Sequence, residues 1–427
     1  MTPYTPTKRQ IFFQSLEVGI FIHFGIRTFY TNRKDWDGKT LNPKKFNPLK
    51  LDCYQWGETA KNAGAKYMIL TAKHHDGFIN WQSESTRFGV ASSPWKEGRG
   101  DLVKEFTEAC RYYKLKVGLY YSPADMNCPF FHDQDKYNQI FFQQIDELMS
   151  RYGTIDILWF DGCHSEGCKY DWKKIIAQIR KKQPEIIIFN MGIPDYRWAG
   201  NEAGLAPYPL WNTIITNDKK LNFLAGQLKR KKMLYLPVEC DLRIRDFSWF
   251  YNPYDENSLK TVDELIGIYY YSVGRGANML LNIGPDRNGL FPQKDRQRLI
   301  EFGNVIKKLF SNPLLQLKDF EKRGDSWIYE SKENKWIFFD HIVLEEDLTE
   351  GQKIKEFQIS IRTYTNDSDI VIYKGYSVGH KLICQVPIVR AKQIRIEVLK
   401  KRSRTKLLKM QNIKVFCSKN IKPNPQK

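Results

Sequence analysis

Histidine is scarce in this chain, with seven in 427 residues, and its eight cysteines include no CxxC pair. No zinc-ligand spacing is present, so Cys53, Cys110, Cys128, Cys163, Cys168, Cys240, Cys384 and Cys417 are expected to be reduced residues, several inside apolar or helical patterns. No run of about 18 apolar residues occurs anywhere, which excludes a membrane-spanning helix. The opening MTPYTPTKRQ is polar and lacks the apolar centre of a signal peptide. The expected compartment is the cytoplasm, or the exterior if a signal has been removed. Acidic residues are missing from 400–427, where ten basic ones collect, and KRKK at 229–232 forms a second run. Much of the net charge of +19 is therefore local. A solvated face and a basic tail account for both runs, so nucleic acid is not an expected partner.

What is present is a regular alternation. Short β-rich runs GIFIHF (19–24), KYMILTAK (66–73), LKVGLYYS (115–122), IDILWFD (155–161), EIIIFNM (185–191), MLYLPVE (233–239) and NMLLNIG (278–284) are separated by segments of helical period. Those segments include 101–114, 138–153 and 258–274. Runs apolar on both faces, each paired with a helix, indicate a parallel α/β sheet. Polar residues follow nearly every run: His23, then His74, His75 and Asp76, then Tyr121, Asp161, Asn190, Glu239 and Asn282. An open sheet has one ligand crevice at a switch point, whereas a closed barrel gathers all its C-terminal strand ends around one site. An irregular (β/α)8 TIM-like barrel over 1–314 is therefore expected, although an eighth strand has no evident sequence. From 315 to 427 closely spaced short strands follow without helices, which reads as a smaller antiparallel β-sandwich domain ending in the basic tail.

Three of the seven histidines, His23, His74 and His75, stand at expected strand ends. Adjacent residues of a strand point to opposite faces, so His74 and His75 would make a poor metal pair, and no metal or other cofactor is expected. Imidazoles that donate or accept hydrogen bonds suit sugar hydroxyls. Asp161 ends a strongly apolar strand behind Trp159 and Phe160, with Gly162 allowing a sharp exit, and a nucleophilic carboxylate is the better reading of it. A glycosidase needs a second carboxyl group. Glu202 in RWAGNEAG and Glu239 in PVECD both qualify, with a buried Glu239 paired to Arg243 as the structural alternative.

GIFIHFG, AKYMILTAKHHDGFINW, DILWFDG, RWAGNEAG, ECDLRIRDFSWFY and YYYSVGRGANMLLNIGPDRNGL together resemble the retaining α-L-fucosidases, over residues 10–310 and into the β-domain. GNEAG and ECD resemble the subgroup that prefers branched α-1,3/1,4-linked fucose. The resemblance implies an exo-acting hydrolase that releases terminal fucose from oligosaccharides or glycoconjugates by double displacement. It implies Asp161 as nucleophile, Glu202 as acid/base and Glu239 as a binding or structural residue. His23, His74 and His75 would hold fucose hydroxyls, Trp36 would flank the sugar, and Phe21 and Tyr121 would meet its C5 methyl.

Two segments depart from the family pattern. NRKDWDG at 32–38 has Lys34 and Asp35 where relatives read NREWGDG, and SPADMN at 122–127 has Ala124 and Met126 where relatives read SPWDRN. These departures motivate a second reading, a fucose-binding protein with a decayed catalytic site. The joint presence of Asp161 and Glu202 favours the enzyme.

Overall fold

The computed structural model of the protein describes residues 5–30, 37–215, 233–332, 335–364, 368–402 and 408–419. The KRKK run, Lys34, Asp35, Trp36 and the end of the basic tail lie outside the described residues.

The first 282 residues supply strands β1 (Val18–Ile22), β2 (Tyr67–Lys73), β3 (Lys116–Tyr121), β4 (Ile157–Phe160), β5 (Ile187–Phe189), β6 (Arg197–Trp198), β7 (Thr213–Ile215), β8 (Met233–Tyr235), β9 (Val238–Arg243) and β10 (Asn278–Asn282). Eight of them form one parallel sheet in the order β5-β4-β3-β2-β1-β10-β9-β6. Its two edges meet again at a parallel bridge between Phe189 and Tyr196, so the sheet is a nearly closed barrel. The expected run 233–239 is two strands. β8 pairs antiparallel with β7 outside the barrel, and the barrel strand β9 begins only at Val238.

Helices between the strands start where the sequence offers caps. Asp52, Asp101, Asp133 and Asp171 each accept backbone N–H bonds at the starts of Cys53–Asn62, Leu102–Tyr112, Gln134–Arg151 and Trp172–Lys182. Thr261 and Glu264 form a capping box at Val262–Tyr271. Each barrel strand alternates its side chains between two cores. Ile20, Ile22, Met68, Leu70, Val117, Leu119, Leu158 and Phe160 face the helices, while Phe21, Tyr67, Ile69, Tyr120, Trp159 and Phe189 fill the barrel. The Tyr67 ring crosses beneath β1 only because residue 19 is glycine, since a Cβ there would stand 2.3 Å from it.

Antiparallel strands begin at Leu315–Gln316 and form sheets of four and five strands around a separate core that includes Trp327, Phe339, Phe357 and Ile396. They pack directly on the barrel. Gln352 Nε2 donates to the Leu210 carbonyl at 3.0 Å, Tyr270 Oη lies 2.7 Å from His341 Nε2, and Lys381 pairs with Glu17.

Candidate active site

His23 follows β1 and faces the C-terminal mouth of the barrel. The Asn282 amide nitrogen donates to the Trp249 carbonyl at 2.8 Å, which turns its oxygen toward His23 Nδ1, 2.7 Å away. That oxygen can only accept, so His23 carries its proton on Nδ1 and presents Nε2 as an acceptor. Burial lowers the His23 pKa to about 3 despite the Asn282 bond, which keeps the ring neutral.

His74 and His75 are brought to the same site by a route that strand alternation did not foresee. β2 stops at Lys73, and 74–77 is a turn closed by the Gly77 N–H on the His74 carbonyl at 3.0 Å. The two rings lie 4.3 Å apart, and His74 also stacks on Tyr120 at 5.6 Å. Burial holds His74 well below its ordinary pKa. Asp76 turns away, accepting from Arg27 Nε at 3.2 Å and the Phe78 N–H at 2.8 Å.

Asp161 stands immediately after β4 with its side chain 20% exposed. Oδ1 accepts the Cys163 N–H at 2.9 Å, while Oδ2 accepts Tyr120 Oη at 2.8 Å and lies 3.4 Å from His75 Nε2. Burial works against its charge, but His75, Cys163 and Tyr120 outweigh it and hold the carboxyl well below the usual range. The sequence reading of Tyr121 as a wall residue is corrected here. Tyr121 faces the helices, where it donates to Gln144 and stacks on Phe141. Tyr120, one residue earlier and hence on the other face of β3, occupies the site. Phe21 lies in the inner core directly beneath, its ring 4.5 Å from His23 and 5.2 Å from Trp159.

Glu202 lies on the loop after β6 with its side chain 46% exposed, and Arg243 Nη1 at the end of β9 is 3.2 Å from its Oε2. Arg243 therefore belongs to Glu202, not to Glu239. Glu239 is 1% exposed, deep in the barrel, where Tyr67 Oη and Trp159 Nε1 donate to its two oxygens at 2.7 and 2.8 Å. Both oxygens are engaged from within the core, which fits the structural one of the two roles the resemblance implied, support beneath the site. Burial raises its pKa to about 7 against those two bonds.

Sequence reasoning missed Trp249, Phe250 and Asp241. The two rings pack 5.0 and 5.4 Å from His23 on the loop after β9, which carries no strand pattern. Asp241 accepts from Trp198 Nε1 at 2.6 Å, and burial raises its pKa to about 8. Of the two departing residues in 122–127, Ala124 is fully buried and Met126 packs half-buried against the outer core.

A parallel barrel that gathers imidazoles, an ionised aspartate, aromatic rings and a second carboxylate at its strand ends defines a barrel glycoside hydrolase. The family model for alpha-L-fucosidase matches residues 39–309. Alpha-L-fucosidase 1 of Arabidopsis thaliana is 32% identical over 435 residues, covering 93% of this chain and 85% of that one. Among solved structures, a glycoside hydrolase 29 family member from an unknown rumen bacterium is similar, with TM-score 0.87 and 30% identity over 99% of this chain and 79% of that one. A Ruminococcus gnavus GH29 fucosidase in complex with fucose has TM-score 0.82 and 25% identity, covering 98% of this chain and 95% of that one. The chain belongs to the alpha-L-fucosidase family, glycoside hydrolase family 29.

Proposed function

We propose that the protein is an exo-acting, retaining α-L-fucosidase that releases terminal fucose from α-1,3/1,4-branched oligosaccharides or glycoconjugates. Asp161 attacks the anomeric carbon while Glu202 protonates the departing oxygen. Glu202 then takes a proton from the water that releases fucose from Asp161, and the two inversions give net retention. The observation that carries this reading is the contrast between the two carboxylates. Asp161 is held ionised by three donors at the bottom of the mouth, as a nucleophile needs, whereas Glu202 is half-exposed on a loop at its edge, where an aglycone would leave.

His23, His74 and His75 hold the sugar hydroxyls, with His23 Nε2 as an acceptor. Tyr120, Trp159 and Trp249 supply the apolar wall for the C5 methyl, with Phe21 behind them. The linkage preference rests on the GNEAG and ECD segments. Ala124 and Met126 offer no stacking surface to the second sugar, so discrimination among α-1,3, α-1,4 and α-1,2 linkages is expected to be blunter than in relatives with SPWDRN.

Following the reaction by proton NMR tests stereochemistry and linkage together. The expected first product is α-fucose, formed fastest from the branched linkages in a panel of fucosylated oligosaccharides and an aryl fucoside. First-formed β-fucose would overturn retention. In a ligand-bound structure the Asp161 and Glu202 carboxyls should lie about 5–5.5 Å apart, and about 8 Å would count against the assignment.

A further inference from the structure

We propose that the Ser122 hydroxyl selects which ring nitrogen of His75 carries the proton, and through that choice sets the donor that His75 offers to Asp161. The proposal rests on Asp161 as the nucleophile. It makes Ser122 a positioning residue for the attack step.

His75 is held at both ends. Its Nδ1 lies 2.7 Å from Ser122 Oγ and its Nε2 lies 3.4 Å from Asp161 Oδ2. Ser122 is completely buried, and its hydroxyl has a second neighbour, the Ala124 carbonyl at 3.0 Å. A serine hydroxyl has one proton and can serve only one of these acceptors at a time. Pointed at Ala124, it leaves Oγ to accept from an Nδ1–H of His75, and a neutral ring then shows Nε2 as a bare acceptor. Pointed at His75, it puts the ring proton on Nε2, which donates toward Asp161.

The hydroxyl thus has two stops, each matched to one tautomer of His75, and each matched pair presents a different ring to the sugar site. His23 has no such freedom, because the Asn282 amide is locked by Trp249 and fixes the proton on Nδ1. The frame around Ser122 does not move with the hydroxyl. Its N–H donates to the Lys73 carbonyl at 2.9 Å, and the Met126 N–H donates to the His75 carbonyl at 2.9 Å.

In the free enzyme the Nε2–H stop supplies Asp161 Oδ2 with its second donor beside Tyr120. As an Asp161 oxygen bonds to the anomeric carbon and the glycosidic C–O bond breaks, the carboxylate loses its charge and no longer needs that donor. The same Nε2–H is then free to donate to a hydroxyl oxygen of the bound fucose, and the ring proton stays on the nitrogen that Ser122 selects. No proton leaves the His75–Ser122 pair, and the leaving oxygen takes its proton from Glu202.

The test uses the full chain with Ser122→Ala and Ser122→Thr. A 2-fluoro-fucosyl fluoride traps the fucosyl–enzyme, and mass spectrometry follows its formation. Ser122→Ala is expected to slow trapping roughly ten- to a hundredfold, the size of one lost hydrogen bond to a charged group, while Ser122→Thr restores most of the rate. Nitrogen-15 NMR of labelled histidine should show the His75 Nδ1 and Nε2 shifts move in Ser122→Ala and return in Ser122→Thr. Trapping of Ser122→Ala at the wild-type rate, or unchanged His75 shifts in it, overturns the proposal. Absence of a wild-type adduct on Asp161 would instead sink the nucleophile assignment beneath it.

Discussion

Arg243 at the end of β9 pairs with Glu202 on the loop after the neighbouring strand β6, its Nη1 3.2 Å from Oε2, while its guanidinium lies 5.3 Å over the Trp249 ring. With Glu202 about half-exposed, such a pair adds little stability. Its consequence is orientation. The loop after β6 is tied to the end of β9, beside the ring that packs on His23.

This arrangement makes Glu202→Ala diagnostic. An acid catalyst matters most for a poor leaving group, so the variant should lose about 10²–10⁴ in rate on a natural oligosaccharide. With an activated aryl fucoside the first step survives and the fucosyl intermediate accumulates, because no base activates water. Added azide should restore turnover as a fucosyl azide of retained configuration. Azide rescue of Glu239→Ala and none of Glu202→Ala would reverse the assignment.

A chelator should leave turnover unchanged. Among the described residues no group of three His, Cys, Asp or Glu side chains is placed to hold a metal ion. Nδ1 of His23 and of His75 are also engaged by Asn282 and Ser122. Activity lost to EDTA and restored by zinc would contradict this.

Glu239 should govern part of the pH dependence of stability. Its pKa in the fold is raised by burial from 4.5 to about 7, so the folded protein keeps a proton that the unfolded chain releases. The stabilisation is complete below about pH 4.5 and is lost as pH rises through about 7. Asp241 at about 8 and Glu346 at about 7 act in the same direction. Glu239→Gln keeps a partner for Tyr67 and Trp159 but removes the titration. Relative to the parent, it should therefore gain up to ~3 kcal/mol of stability between pH 5 and 8. Denaturant midpoints at the two pH values measure this, and a difference that does not change with pH would contradict it.

The barrel was legible because β1 to β5 and β10 are apolar on both faces, and the site because His23, His74, His75 and Asp161 follow such strands. What was hidden has specific causes. Strand β6 is two residues long, too short for any periodic signal, yet it opens the loop that carries Glu202. Tyr120 and Tyr121 are chemically identical neighbours, so only strand parity separates them, and the last residue of the strand is not the inward one. Gly162 suggested the sharp exit after Asp161, but the left-handed residue in that turn is His164, with φ 60° and its ring 4.9 Å from His75. Glu239 reads as a strand-end carboxylate only if 233–239 is one strand. Because the barrel strand starts at Val238, Glu239 lies near its beginning, deep below the mouth.

Lys73 gives the last prediction. Its ammonium is fully buried, 3.3 Å from Asp125 Oδ2, 3.0 Å from Tyr137 Oη and 4.4 Å over the Tyr121 ring. Burial lowers its pKa, and Asp125 opposes that shift. Asp125 also accepts the Cys128 N–H at 3.0 Å, so the pair fastens the 122–128 loop beneath the histidine turn. The fit is close, since a Cβ at Gly77, where φ is 82°, would stand 2.0 Å from Asp125 Oδ1. Lys73→Met fills the space but strands the Asp125 charge, and should cost about 3–5 kcal/mol. Lys73→Met with Asp125→Asn keeps an acceptor for Cys128 without the charge, and should recover a large part of that loss. Denaturant unfolding of the two single variants and the double variant gives the coupling. Strictly additive losses would mean that the ion pair does not hold this loop.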